Sequence, residues 1–137
     1  MNPPLEYSQI FKSTLDDVII QVASIILHLD QEIGEYNRFA LDLVLREVLN
    51  NAVIHGNKAD SEKSISLKLK AEAGQFRIVV EDEGDGFDWQ STIYGDADPQ
   101  DDHGRGFPIF HSYCNEVELN EKGNRVSLTL DIKKSKS

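Results

Sequence analysis

The sequence contains only one cysteine, Cys114, among its 137 residues. A single cysteine cannot form an internal disulfide, so we expect a reducing compartment and interpret Cys114 as a small buried residue. No apolar run is long enough to span a membrane, and the first residues, Met1-Asn2-Pro3-Pro4, lack the pattern of a signal peptide. These absences predict a cytoplasmic protein that does not bind a membrane.

Positive charge is also scarce in this chain. The 14 lysines and arginines are outnumbered by 24 aspartates and glutamates, which gives a formal net charge of -10. An acidic surface argues against direct binding to nucleic acid or to an anionic membrane, because both need basic side chains. It does not exclude a phosphate ligand, which needs local backbone donors, with or without a metal ion. The length predicts a single domain over residues 1–137.

Three familiar site motifs are absent as well. Neither the GxGxxG nor the Walker pattern occurs, so the nucleotide folds that carry them are not supported. A zinc-binding helix needs two histidines four residues apart, and the second helix predicted below offers only His55. The acidic runs at 81–85 and 96–102 lack the ligand spacing of an EF-hand, so calcium is disfavoured.

Apolar residues at helical spacing predict two long helices, one that begins after Ser13 or Thr14 and one that ends near His55. Gly56 stands where a C-terminal glycine often ends a helix. A short third helix is expected over 104–114. The expected core stripe of the first helix comprises Leu15, Val18, Ile19, Val22, Ile25, Ile26 and Leu29. That of the second comprises Leu41, Val44, Leu45, Val48, Leu49 and Ala52.

Alternating apolar and polar residues predict five strands, at residues 5–12, 65–71, 76–82, 116–119 and 125–132. The second and third should form a hairpin with its turn at Ala73-Gly74, and the last two should form another around Gly123. Helices combined with paired strands in this order are typical of α+β proteins. We therefore predict a two-layer α/β sandwich, with a mostly antiparallel sheet of four or five strands and the helices on one face.

The most informative stretch is Asp82-Glu83-Gly84-Asp85-Gly86-Phe87. Counting in twos from Phe76 places Asp82 on the buried face of its strand, where an unpaired charge is costly. Gly84 and Gly86 allow the backbone to turn sharply or to approach a ligand closely. A buried acid followed by a glycine loop describes a ligand site, although a plain surface turn fits this stretch alone equally well.

Two further stretches carry groups that suit a phosphate ligand. Glu47, Asn51 and His55 share one face of the second helix, where a carboxylate and an amide carbonyl could hold Mg²⁺ and orient a hydroxyl or a water. Gly104-Arg105-Gly106-Phe107 enters a helix N-terminus, whose free N–H groups favour anions. Taken alone, these stretches also fit a solvated polar face and an ordinary glycine turn.

The three stretches together, in this order, resemble the motifs of the GHKL (Bergerat-fold) ATPases. Residues 47–56, Glu-Val-Leu-Asn-Asn-Ala-Val-Ile-His-Gly, resemble the N box, residues 82–87 the G1 box, and residues 104–107 the G2 box. Within this superfamily, the Asn-Ala-x-x-His-Gly ending and the Gly-Arg-Gly-Phe box are similar to those of the bacterial anti-sigma factor serine/threonine-protein kinases. The resemblance spans about residues 14–132 and implies the Bergerat, or histidine-kinase-like ATPase, fold.

By this resemblance, ATP and Mg²⁺ are the expected cofactors. Glu47 is the expected general base on the attacking hydroxyl, and Asn51 is the expected ligand of Mg²⁺. Asp82 is expected to hydrogen-bond the adenine amino group. The other expected nucleotide-binding residues, at the base pocket and around the phosphates, are Gly84, Gly86, Phe87, Gly104, Arg105, Gly106 and Phe107.

The resemblance implies transfer of the γ-phosphoryl group of ATP to a serine or threonine of an anti-anti-sigma (STAS-type) protein, together with sequestration of a sigma factor. It also implies a homodimer built through the first strand and the first helix. An ATP lid is expected at about residues 92–103, and this segment has no lysine or arginine to attract the triphosphate. The acidic lid keeps a second interpretation open, a nucleotide-sensing partner-switch module with little or no kinase activity. A third is an ATPase in which Glu47 activates water.

Overall fold

The structure of the protein is a computed structural model that describes residues 5–86 and 106–133, with the backbone alone at 106–109. Within these residues the strands are β1 (Leu5–Lys12), β2 (Ser64–Glu72), β3 (Gln75–Asp82), β4 (Glu116–Leu119) and β5 (Arg125–Asp131). The helices are α1 (Leu15–Glu32), α2 (Arg38–Asn51) and α3 (Gly106–Tyr113), and α2 continues into a π-helical turn at Ala52–Gly56.

The strands form one antiparallel sheet in the order β1-β2-β3-β5-β4. Every second residue of β2, β3 and β5 is buried, and these residues make the inner face apolar except at the terminal Asp82, which is a buried acid. Its outer face carries polar side chains such as Lys68 and Arg77, so only one face packs into the core. The predicted α+β fold, a two-layer sandwich with an antiparallel sheet and helices on one face, is confirmed.

Each of the two long helices begins at a side-chain cap, and the first begins where the sequence predicts. Thr14 caps α1 by accepting a hydrogen bond from the Asp17 N–H at 3.0 Å, and Asn37 caps α2 by accepting one from the Ala40 N–H at 3.1 Å. The predicted core stripe of α2 is buried along its whole length. No helix within the described residues has the length and hydrophobicity needed to cross a membrane.

The predicted core stripe of α1 is wrong at two positions. The other five residues of the stripe are buried, but Leu15 is 46% exposed and Ile19 is 55% exposed. Helical periodicity defines which sector of a helix is apolar, and it does not define how far the covering sheet extends. Because α1 packs beside the edge strand β1, part of its apolar sector stays uncovered.

Helix α3 is held to the body of the protein by Phe110 and by Cys114, which directly follows the helix, and both are buried. The prediction that Cys114 is a buried residue is confirmed. Tyr113, at the C-terminal end of α3, makes an edge-to-face contact with Phe39 in the first turn of α2, with ring centroids 6.2 Å apart. This contact places the end of α3 beside the beginning of α2.

Candidate functional site

Asp82, the last residue of β3, is only 4% exposed, so the prediction of an inward-facing carboxylate is confirmed. Its Oδ1 accepts a hydrogen bond from the Gly84 N–H at 2.8 Å. Burial raises the pKa of Asp82 above its ordinary value, and the Gly84 hydrogen bond opposes that shift without cancelling it. A buried carboxylate of this kind is a strong acceptor for an N–H group of a ligand.

The end of the π-helical turn packs directly on this carboxylate. A Cβ on Gly56 would overlap Cγ and Oδ2 of Asp82 and would lie 2.9 Å from Oδ1. A Cβ on Gly84 would overlap the Gly56 carbonyl oxygen and would lie 3.0 Å from Asp82 Oδ1. The structure therefore brings Gly56, Asp82 and Gly84 into one contact that has no room for a side chain at either glycine.

The same contact corrects the reason expected for glycine at position 56. The sequence suggests a C-terminal glycine, a position where the left-handed conformation usually requires glycine. Gly56 is not among the described glycines with a positive φ, which are Gly74, Gly86 and Gly123. Glycine is required at position 56 because Asp82, 26 residues further along the chain, approaches its α-carbon.

The β4–β5 turn supports Asp82 from the other side. The Asp82 N–H donates to the Asn124 carbonyl oxygen at 2.9 Å, and the Asn124 Nδ2 donates to the Asp82 carbonyl oxygen at 3.3 Å. Gly86 has a φ of 92°, and a Cβ there would overlap the Lys122 carbonyl oxygen. The loop that follows β3 is thus held between the end of α2 and the β4–β5 turn.

Glu47 and Asn51 lie one helical turn apart on α2, and both are half-buried. The Nδ2 of Asn51 is buried and has no hydrogen-bond partner among the residues that the structure describes. A buried donor without a partner is unfavourable, so this amide is suited to bind an acceptor from a ligand. Asn51 precedes Gly56 by five residues, or roughly 6–8 Å of helix, which places it close to the Asp82 contact.

The π-helical turn at Ala52–Gly56 separates these two parts of the site. Its wider hydrogen bonds include one from the Asn57 N–H to the Ala52 carbonyl oxygen at 2.8 Å. Such turns interrupt α-helices frequently at functional sites. In this protein the turn leads the chain from the helix face that carries Asn51 to the glycine that contacts Asp82.

Several predicted site residues lie outside the described part of the chain. Phe87, Gly104, Arg105 and the expected lid at 92–103 belong to the segment 87–105. Gly106 and Phe107 are the first residues of α3, where the structure describes the backbone alone. Their roles stay predictions.

Sequence reasoning missed five residues around Asp82. Lys63 and Lys122 lie near enough for their charges to lower its pKa, against the larger effect of burial. Asn57 and Glu83 join the end of α2 to the strands, and Asn124 joins β3 to the β4–β5 turn. Glu83 lies in the 82–87 stretch, but the motif gives its side chain no role, and no periodicity or motif marks the other four residues.

The arrangement can hold an elongated polar ligand. A buried carboxylate that accepts an N–H lies at one end, and an amide and a carboxylate lie on the helix face that leads away from it.

Residues 13–130 match the family described as the histidine kinase-like ATPase domain. The chain belongs to this family. The GHKL resemblance that the three motifs carry is thereby confirmed.

As a histidine kinase-like ATPase domain, the chain has curated relatives of nearly the same extent. It is 29% identical over 126 residues to the anti-sigma F factor of Geobacillus kaustophilus, an alignment that covers 86% of this chain and 84% of that protein. It is 26% identical over 125 residues to the anti-sigma F factor of Bacillus subtilis, with the same coverage of both chains. The resemblance to anti-sigma factor kinases predicted from the motifs agrees with these similarities.

A solved structure of the same fold is the histidine kinase domain of the blue-light activated histidine kinase from Erythrobacter litoralis. The two structures align with a TM-score of 0.51 at 20% sequence identity, over 86% of this chain and 60% of that chain. The chain thus spans less than two thirds of this structural neighbour. At this identity the similarity supports the fold.

Proposed function

We propose that this protein binds ATP with Mg²⁺, phosphorylates a serine or threonine of an anti-anti-sigma (STAS-type) protein, and sequesters a sigma factor. The observation that carries the proposal is the buried Asp82 carboxylate, packed against Gly56 at the end of the helix that bears Asn51. A carboxylate in this position is suited to accept a hydrogen bond from the adenine amino group. Guanine has an oxygen at the equivalent position, which a carboxylate would repel, so the site should prefer ATP to GTP.

The residues around α2 also fit a magnesium–triphosphate group. Asn51 offers an amide oxygen, which Mg²⁺ accepts as a ligand, and its unpartnered Nδ2 is a donor that a phosphate oxygen would satisfy. When bound, Mg²⁺ would neutralise charge on the phosphates. The other nucleotide-binding residues that we propose are Gly84, Gly86, Phe87, Gly104, Arg105, Gly106 and Phe107.

Glu47 is the residue that we propose as general base. It lies about 6 Å before Asn51 along the helix axis, on the same face. Its carboxylate would accept the proton of the serine or threonine hydroxyl while the hydroxyl oxygen attacks the γ-phosphorus and ADP leaves. Proton transfer of this kind contributes about 10²–10⁴-fold to the rate.

The proposed partners follow from relatives that are named anti-sigma F factors. An anti-sigma factor binds a sigma factor, so we place this protein with a sigma factor and an anti-anti-sigma protein in the cytoplasm. We also propose a homodimer through β1 and α1. It is supported by large exposed apolar side chains on the edge strand and along α1, namely Ile10, Leu15, Ile19, Ile20 and Leu27.

Titration calorimetry with Mg-ATP tests the nucleotide site. The wild-type protein should bind Mg-ATP, and Asp82→Asn should not. The oxygen of the new amide would keep the hydrogen bond from the Gly84 N–H, so its NH₂ group, a donor, would face the adenine amino group. A nucleotide at a hundred times its dissociation constant should also raise the free energy of unfolding by about 2.7 kcal/mol. Failure of the wild-type protein to bind Mg-ATP would contradict the proposal.

Phosphoryl transfer is tested with radiolabelled ATP and a purified anti-anti-sigma protein from the same organism. Glu47→Ala should bind Mg-ATP as the wild-type protein does and should transfer phosphate about 10²–10⁴-fold more slowly. An unchanged transfer rate in Glu47→Ala would remove Glu47 from the mechanism.

A second candidate function is a nucleotide-sensing partner switch without useful kinase activity. The observation in its favour is the expected lid at 92–103, which contains four aspartates and no lysine or arginine. Its acids would repel the γ-phosphate at the moment when charge must be neutralised. Tight Mg-ATP binding, nucleotide-dependent binding of the sigma factor and no phosphorylated product would favour this alternative.

A further inference from the structure

Asn57 lies at the junction of three segments, directly after the π-helical turn, and it is 0% exposed. Its Oδ1 accepts a hydrogen bond from the Glu83 N–H at 2.8 Å, and its Nδ2 donates to the Ser64 carbonyl oxygen at 3.0 Å. Its own backbone N–H and carbonyl are bonded to Ala52 and Asp60. A buried asparagine with this set of partners orients the groups around it rather than filling space.

Ser64 and Glu83 are also joined to each other. The Ser64 N–H donates to Oε2 of Glu83. These two residues flank the last register pair of β2 and β3, in which Ile65 is opposite Asp82. Asn57, Ser64 and Glu83, which we call the junction, therefore connect the end of α2 to the strand ends beside Asp82.

The position of the junction matters because the proposed nucleotide contacts belong to two separate elements. Asp82 belongs to β3, whereas Asn51 belongs to α2, and a single nucleotide must reach both. The packing of Gly56 on Asp82 limits how closely these elements approach, but a steric contact does not prevent them from sliding or separating. Hydrogen bonds are directional, so the two side-chain bonds of Asn57 supply the missing constraint.

We propose that Asn57 is a positioning residue for nucleotide recognition. Through Glu83 and Ser64 it holds the Asp82 carboxylate at a fixed place relative to Asn51, and this fixed place sets the preference for adenine. Asn57 does not touch the nucleotide. The inference rests on the proposed function, since it assigns Asp82 to the base and Asn51 to the metal-bound phosphates.

Calorimetry of Asn57→Ala with three probes, Mg-ATP, Mg-GTP and Mg-tripolyphosphate, tests the inference. The variant should bind Mg-ATP about tenfold more weakly, the effect expected when buried hydrogen bonds that orient a recognition group are lost. It should bind Mg-tripolyphosphate as the wild-type protein does, because that probe has no base. Its preference for ATP over GTP should therefore decline.

A matched control and a milder variant complete the design. Asn115→Ala is the control, because it also removes an asparagine side-chain hydrogen bond, from Nδ2 to Asp131 Oδ1 at 3.0 Å. This bond is exposed and lies outside the junction, so the variant should leave all three affinities unchanged. Glu83→Ala removes the carboxylate that accepts from Ser64 but changes an exposed residue, so it should fold even if Asn57→Ala does not. It should also reduce the preference for ATP.

The possible outcomes separate the role of Asn57 from the proposed function. A wild-type protein that binds none of the probes would overturn both together. A wild-type protein that prefers Mg-ATP, with the same preference in both Asn57→Ala and Glu83→Ala, would leave the proposed function intact and overturn the role of Asn57. Equal weakening for Mg-ATP and Mg-tripolyphosphate would also overturn that role, because a general loosening of the fold affects both probes alike.

Discussion

Replacing Gly56 with alanine tests whether the end of α2 and the Asp82 carboxylate share one closely packed contact. The new Cβ would overlap Cγ and Oδ2 of Asp82 and would lie 2.9 Å from Oδ1. The carboxylate cannot move away freely, because it is buried and bonded to the Gly84 N–H. Overpacking of this kind costs about 1–3 kcal/mol.

A smaller effect acts in the opposite direction. Gly56 lacks a positive φ, so alanine can adopt its backbone conformation, and the loss of chain entropy in the unfolded state would stabilise the variant by about 0.4–1 kcal/mol. The steric cost is larger, so we expect Gly56→Ala to lower the free energy of unfolding by about 1–2 kcal/mol. Its affinity for Mg-ATP should fall as well, because Asp82 is displaced.

Urea unfolding followed by circular dichroism measures this effect, and the midpoint should fall by about 0.5–1 M for a protein of this size. Gly34→Ala is the matched control, since a Cβ on Gly34 meets no atom within 4 Å and Gly34 also lacks a positive φ. It should leave stability unchanged or raise it slightly.

A double-mutant cycle with Asp82→Ala isolates the contact itself. Without the carboxylate, the three atoms nearest to the new Cβ are gone, so Gly56→Ala should cost little in that background. The coupling energy should therefore be about 1–3 kcal/mol, the size of the steric cost alone, because the entropic gain is present in both backgrounds. Additive costs in the two backgrounds would show that the alanine is resisted by something other than Asp82, and would refute the reasoning.

Three further predictions concern pH, assembly and the core. Burial raises the pKa of Asp82, so the folded chain keeps the carboxyl proton to a higher pH than the unfolded chain does. The free energy of unfolding should therefore fall as pH rises from about 4 through the raised pKa. The stability advantage of Asp82→Asn over the wild-type protein in urea unfolding should grow over that range, and a constant difference would contradict the assignment. In sedimentation velocity, Ile19→Lys should dissociate the proposed dimer. Phe39→Lys, at another exposed apolar position, should leave the dimer intact. A monomeric wild-type protein would contradict the dimer. Leu45→Ala should lower the free energy of unfolding by about 2–5 kcal/mol because Leu45 is fully buried, and a loss below about 1 kcal/mol would mean that α2 is not packed as described.

The strands β2, β3 and β5 and the α2 stripe could be predicted because their periodicity reports burial directly. Counting in twos from Phe76 places Asp82 on the inner face, and the structure has it there. On α1 the prediction from helical periodicity fails at Leu15 and Ile19, because the pattern cannot show where the sheet ends. An apolar sector wider than the covering sheet has the same sequence pattern as a fully buried one.

The site could be predicted as three motifs but not as a contact. The motifs contain both Gly56 and Asp82. Nothing in the sequence shows that Asp82 approaches position 56 so closely that only glycine fits there. Asn57 lies just outside the motifs, as the first residue of a polar loop. A buried asparagine is satisfied by tertiary partners, in this case Ser64 and Glu83, and those partners follow only from the fold.

The central place of β3 in the sheet bears on how long the proposed recognition geometry lasts. β3 has β2 on one side and β5 on the other, and the backbone of its last residue, Asp82, pairs with Ile65 and donates to Asn124. This backbone moves away only if the neighbours on both sides release it. Opening of a strand that is paired on both sides costs more free energy than the opening of a loop or a fraying terminus. The proposed acceptor is therefore in place before a nucleotide binds, and binding does not have to include the cost of ordering it. Discrimination between adenine and guanine should consequently persist on heating until the protein unfolds.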